Sequence, residues 1–145
     1  MTKFETKYFT RFNFTEDQII RYSNNASRDL EIAEENRRPE VKFTPLECPC
    51  KILTGFTYSY NALIKGGIAL VAKIGKVKIR SIPGHHVKII EKMSDILKDS
   101  SVNEIGNAMR MKRNEDFYAG GVFISEKESE DYYIFVKEVL SKKWN

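Results

Sequence analysis

The chain predicts an all-α fold, an up-and-down bundle of four main helices with a fifth appended at the C-terminus. Three observations carry this. Apolar residues recur at helical three- and four-residue spacings along most of the 145 residues. Three Ser/Thr-x-x-Glu/Gln pairs (Thr15 with Gln18, Ser101 with Glu104, Ser125 with Glu128) stand just ahead of such runs, where helix starts carry capping boxes. No strand-rich stretch competes. With no repeat, low-complexity tract or linker, the whole chain 1–145 is expected to be one domain with its core over about residues 15–142.

The first helix starts at the Thr15 cap, with Phe14 and Ile19 placed as a hydrophobic staple. Ile19, Ser23, Ala26, Leu30 and Ala33 form its inner line, and Arg21, Arg28, Glu31, Glu34 and Glu35 its polar face. It should end before Pro39. A short turn from Pro45 leads to the second helix, about Pro49 to Lys73, with Ile52, Phe56, Tyr60, Leu63, Gly67, Leu70 and Ile74 inward. Gly55, Gly66 and Gly67 each cost helix propensity, roughly 1 kcal/mol against alanine. Three such costs predict close approach by another helix or a second chain. Gly75 is the expected C-terminal cap.

The stretch KVKIRSIPGHH reads as a loop broken at Pro83-Gly84. The third helix should run from about His85 to Asp99, with Val87, Ile90, Met93 and Leu97 inward. The fourth opens at Ser101 and reaches about Tyr118, with Ile105, Ala108 and Met109 toward the core. Gly120-Gly121 ends it. Ser125 then caps a fifth helix carrying Tyr132, Tyr133, Val136, Val139 and Leu140, which stops near Trp144.

Hydrophobic residues at 41% and charged residues at 30% give a globular balance. The net charge of +4 and pI near 9.0 permit an anionic partner without demanding one. The only cysteines, Cys48 and Cys50, are too close for an ordinary stapling disulfide, and with His85-His86 they match no common zinc spacing. No metal or cofactor is expected, since Walker, dinucleotide, His-Glu-x-x-His and nucleophile-elbow patterns are all absent. The most apolar window, Ala62 to Ile74, is interrupted by Lys65 and Lys73 and is shorter than the ~20 residues that span a bilayer. The N-terminal residues show no secretory signal, so a soluble, cytoplasmic protein with no membrane partner is expected.

The richest polar cluster is the run RMKRNEDFY, holding Arg110, Lys112, Arg113, Asn114, Asp116 and Tyr118. A guanidinium, an amide and a phenol in one helical stripe can hold a phosphate and meet a base. The alternative is a solvated basic face with local pairs such as Lys112–Asp116 and Arg113–Asp116. His85 and His86 either cap and pack at the start of the third helix, or point into the cleft of Arg113 and supply an imidazole from another helix. The spacing Arg80-x4-His85 crosses Pro83-Gly84, cannot lie on one helix, and reads as coincidence. Tyr58, Tyr60, Tyr132 and Tyr133 read as core or interface aromatics.

Three segments carry a resemblance. YSYNALIKGGIALVAKIG resembles the second helix of HEPN-type domains. IPGHHVKIIEKM resembles a Gly-His-His opening found in part of that superfamily. RNEDFYAGGVFISEKESEDYYIFVKEVL resembles its Arg-Asn motif helix, glycine turn and acidic-start last helix. The resemblance covers roughly residues 15–142 and rests on the order and spacing of the motifs.

It implies an RNA-associated protein of a toxin–antitoxin or nucleotide-metabolism kind. Such a protein acts as a homodimer and is often partnered by a small nucleotidyltransferase. Active HEPN ribonucleases carry an Arg-polar pair and, four to six residues on, a His. Here Arg113 and Asn114 match, but Tyr118 stands where the imidazole would be, and no histidine follows. A phenol is a poor base near neutral pH, so catalysis is expected to be weak or absent.

The candidate catalytic residues are therefore Arg113, Asn114 and Tyr118, and the candidate RNA-binding residues Arg110, Lys112, Arg113, His85 and His86. Arg113 and Tyr118 project about 140° apart on an ideal helix, which suggests a groove completed by a second copy. Two rivals stand beside this reading: an active metal-independent endoribonuclease, and a helical interaction module with no nucleic-acid role.

Overall fold

A computed structural model describes residues 2–36, 47–118 and 124–142, with the side chains of 47–50 and 116–118 left outside the description. In chain order it contains a short strand β1 (Phe9–Arg11), helix α1 (Glu16–Asn36) and helix α2 (Glu47–Leu70). A π-helical turn (Val71–Gly75) and a strand β2 (Val77–Ile79) follow. Helices α3 (His85–Leu97), α4 (Ser100–Tyr118) and α5 (Glu126–Ser141) complete the chain. The all-α bundle is borne out.

The start of α1 is the expected reciprocal box. The Thr15 N–H donates to Gln18 Oε1 at 2.9 Å, and the Gln18 N–H to Thr15 Oγ1 at 3.2 Å. Ala26 and Ala33 are buried on its inner line, and Phe14 packs edge-on against Tyr22. One charge also lies inside: Asp29 is buried and pairs with Lys65 of α2 at 2.6 Å. The chain from Arg37 to Leu46, including Pro39 and Pro45, lies outside the described residues.

Helix α2 is the central element, in contact with α1, α3, α4 and α5. Its line Ile52, Phe56, Tyr60, Leu63 and Leu70 is buried, together with Ile89, Ile90 and Met93 of α3, Val102 and Met109 of α4, and Val136 and Val139 of α5. Two of the three costly glycines have a reason within the single chain. A Cβ on Gly66 would overlap Leu140 of α5, and one on Gly67 would overlap Ile89 and Met93 of α3. At these two positions the close approach comes from helices of the same chain.

Beyond Leu70 the expectation fails in detail. The last turn widens to a π-helix, and Lys76 takes the left-handed conformation (φ 52°) that glycine was expected to take at position 75. Gly75 instead lets the Phe4 ring lie against its backbone. Ile74, expected in the core, is 40% exposed. The segment expected as a loop then forms β2, antiparallel to β1 with Phe9 opposite Ile79 and Arg11 opposite Val77. The reason is visible in the residues: in β2 buried Val77, exposed Lys78 and half-buried Ile79 alternate with a period of two, and in β1 Phe9 is buried. Phe9, Val71 and Val77 close a small second core with Phe4, Tyr8, Ile79 and Ile96.

Helix α3 starts at His85 as expected, after Gly84 in the left-handed region (φ 86°). The cap of α4 differs from expectation. Asp99, not Ser101, is the capping acceptor, its Oδ1 receiving the Ser101 N–H at 3.0 Å and hydroxyl at 2.6 Å. Ala108, expected inside, is exposed, while Gly106 sits under Ile90. The α5 box forms as expected between Ser125 and Glu128. Tyr133 is buried and Tyr132 and Phe135 pack against the core, so the aromatics of α5 are largely covered within this chain. Gly120-Gly121 and Trp144 lie outside the described residues. Among the described residues no helix is long and apolar enough to cross a membrane.

Candidate anion-binding cleft

The bend Ser81–Gly84 delivers the chain from the sheet to the first turn of α3, and α4 runs alongside. Between them lies a cleft of about 420 Å³. Its walls are Ser81 to Val87 on one side and Arg110, Arg113 and Asn114 on the other. Left-handed backbone at Gly84 costs glycine little and most other residues appreciably. That turn places both histidines in the wall of the cleft across from α4.

The two histidines are held differently. His85 Nδ1 is 2.7 Å from the carbonyl oxygen of Ile82. A carbonyl only accepts, so Nδ1 carries the proton and Nε2 of the neutral ring is left as an acceptor. His86 Nδ1 is 2.8 Å from the hydroxyl of Tyr60. Burial pushes the Tyr60 phenol up to about 12 despite Arg113 and Arg110, so the hydroxyl keeps its proton and is able to donate it to Nδ1. In that arrangement His86 presents Nε2–H as a donor. Burial first, then His85, Arg113 and Arg110, lower the His86 pKa to about 4, and the ring is neutral at neutral pH. The two imidazoles meet edge to face at 4.4 Å.

Arg113 lies over the Tyr60 ring, its guanidinium carbon 5.7 Å from the ring centroid. Arg110 donates from Nε to Asn107 Oδ1 at 3.1 Å. The cleft thus gathers two guanidinium cations, an amide, one imidazole acceptor and one imidazole donor beside the positive end of α3. This set suits an oxyanion, and a phosphodiester in particular.

Five of the sequence-derived residues come together here: Arg110, Arg113, Asn114, His85 and His86. Lys112 does not line the cleft. Its ammonium pairs at 2.9 Å with Glu128, the capping residue of α5, and so ties α4 to α5. The side chains of Tyr118 and Asp116 lie outside the described residues. Tyr60 was missed as a site residue because its position on the inner line of α2 explains it as core. Its polar end, aimed at the cleft, shows only in three dimensions. Among the described residues no three His, Cys, Asp or Glu side chains cluster as a metal site requires; the side chains of Cys48 and Cys50 lie outside them.

An all-α protein with a cationic, imidazole-lined cleft is the class that the fold and geometry define. Compared with known proteins, the chain matches no family model, no curated protein and no solved structure.

Proposed function

We propose that this chain is a HEPN-type, RNA-associated protein that holds an RNA phosphodiester in the cleft between α3 and α4. The observation that carries this reading is the convergence of Arg113 and Arg110 with two oriented imidazoles on one concave surface. The guanidinium groups take the phosphate oxygens, and Asn114 and His86 Nε2–H donate to the phosphate or sugar. The expected association with a small nucleotidyltransferase, in a toxin–antitoxin setting, belongs to the same proposal. So does a homodimer. It is supported by the resemblance and by Met111, 56% exposed on the helix that bears Arg113. Sedimentation at micromolar concentration tests the dimer, and a monomeric mass rejects it.

Arg113→Ala is expected to weaken binding of single-stranded RNA by roughly 1–3 kcal/mol, the worth of charge-assisted bonds to phosphate. Fluorescence anisotropy at fixed salt measures it. Affinity unchanged by this substitution and by Arg110→Ala would leave the cleft without a role and favour the interaction module.

A second reading, active metal-independent cleavage, is favoured by the Nε2 acceptor of His85. In that reaction His85 Nε2 takes the proton of a ribose 2′-hydroxyl, whose oxygen attacks phosphorus. The P–O5′ bond breaks, the leaving oxygen is protonated from solvent, and a 2′,3′-cyclic phosphate forms. RNA cleavage that persists in EDTA and falls at least about a hundredfold in His85→Ala supports it. Identical background rates in both proteins reject it.

A further inference from the structure

A second basic surface lies outside the cleft, next to it along the chain. From Cys48 to Ile90 there are seven Lys or Arg residues and no Asp or Glu, so the rest of the chain is net acidic. The small sheet concentrates part of this charge. Lys76, Lys78 and Arg80 are exposed, while Val77 is buried and Ile79 half-buried between them. Lys78 lies within β2 on the face opposite Val77, and Lys76 and Arg80 flank the strand at its two ends. Lys3, Lys7 and Arg11 on the N-terminal side of the sheet are exposed as well. Glu5, an acid of that segment, turns away to Lys92 and Lys88.

Lys3, Arg11 and Arg80 rim a concavity of about 510 Å³ whose apolar wall is Phe4, Phe9 and Val77. Arg80 is followed directly by Ser81, which lines the cleft. The two concavities are thus lined by consecutive residues at this point. An aromatic stands beside them: Phe12 is 40% exposed, with the Lys78 ammonium 5.6 Å from its ring centroid and Phe14 behind it at 4.6 Å.

We infer that the β1–β2 sheet is a binding surface for single-stranded nucleic acid, continuing from the cleft. Lys78 and the cations that flank the strand take backbone phosphates, and the exposed part of the Phe12 ring takes an unpaired base. Cations interleaved with an exposed aromatic are what single strands use, because every base has a stacking face and duplex bases are sealed. The inference rests on the cleft reading for the origin of the strand, but its residues are separate and can be tested separately.

The test uses the full chain and compares Arg11→Ala/Lys78→Ala, Phe12→Ala and Arg113→Ala, each checked for folding by circular dichroism. The probes are an RNA trinucleotide titrated by NMR, a 12-nucleotide single strand, a 12-base-pair duplex, inorganic polyphosphate and phosphatidylglycerol vesicles. The wild type is expected to bind the 12-mer more tightly than the trinucleotide or the duplex. The two sheet variants should weaken the 12-mer about five- to fiftyfold and leave the trinucleotide unchanged. Removing two cations should lower the salt slope by about 1.4. Phe12→Ala should spare polyphosphate.

A 12-mer affinity equal to that of the trinucleotide, or one insensitive to both sheet variants, overturns the inference. So does tighter binding to vesicles or polyphosphate with Phe12→Ala silent. If Arg113→Ala is silent on every probe while the sheet variants still weaken the 12-mer, the cleft reading fails and the sheet surface stands.

Discussion

The hydroxyl of Tyr60 and the Nδ1 of His86 share one proton, and that pairing has a measurable consequence. The folded His86 titrates at about 4, against about 6.5 for an unfolded histidine. Between these values the unfolded chain binds a proton that the folded chain refuses. Stability therefore rises with pH across that window and is lost on acidification from pH 6.5 toward 4. For a half-buried ring the loss is on the order of 1–3 kcal/mol. Urea unfolding at pH 7 and pH 4.5 measures it. His86→Gln, which keeps an acceptor for Tyr60, should flatten the profile, and an unchanged slope would assign the acid sensitivity to other groups. Both histidines and both arginines could be picked from the sequence, because each residue type carries recognisable chemistry. Their orientation could not, because it depends on a hydrogen bond to Tyr60 from 26 residues away and on the carbonyl of Ile82.

Helix α2 shows how one element pays in propensity for packing. Its two adjacent glycines face different partners, and alanine should separate them. At Gly67 a methyl meets both Ile89 Cγ2 and Met93 Sδ in a fully buried site. Overpacking there costs roughly 1–3 kcal/mol and outweighs the ~1 kcal/mol gained in helix propensity. At Gly66 the methyl meets only the end of Leu140, a half-buried side chain that can move. Thermal melts are expected to show Gly67→Ala clearly destabilised and Gly66→Ala close to neutral. Equal losses would mean that α5 is as rigidly seated as α3. The presence of close packing at these glycines was legible in the sequence. The identity of the neighbours was not, since Leu140 lies 74 residues beyond Gly66. The cap of α4 teaches the same lesson on a smaller scale. Ser101-x-x-Glu104 fits the box pattern, yet Asp99 two residues earlier outcompetes it, as a charged acceptor that also binds Lys142 at 2.9 Å.

Across the whole molecule, the N-terminal segment is clasped to the bundle by a charge as well as by the sheet. Lys92 of α3 is 3% exposed, and its ammonium donates to Glu5 Oε1 at 2.7 Å, with Glu91 at 3.2 Å as a second anion. The bond to Lys92 holds the Glu5 carboxyl below the usual range. Removing one partner of such a pair strands the other charge in a poor solvent. Glu5→Gln is expected to cost about 1–3 kcal/mol, softened by Glu91. Adding Lys92→Met should recover part of the loss, and a double-mutant cycle by chemical denaturation reads the coupling. Strictly additive losses would show that the pair contributes nothing to seating the segment. Because β1 pairs with β2, and β2 leads through Ser81–Gly84 into the cleft, this clasp also bears on the bend that positions His85.

The local grammar of the chain is sufficient for the all-α class, for the starts of α1, α3 and α5, and for the residue types of the cleft. Caps, proline and helical periodicity act within a few residues, so they can be read in one dimension. The π-turn, the left-handed Lys76 and the sheet depend on other forces. Burial of Phe9 and Val77 against Val71 outweighs local preference in a segment that alone reads as loop. The cleft is of the same kind. It exists because α2, buried against its neighbours, offers Tyr60 to His86 and Arg113, while the Gly84 turn sets His85 across from α4. Those are contacts between residues far apart in sequence, whose energy appears only once the chain has excluded water between them.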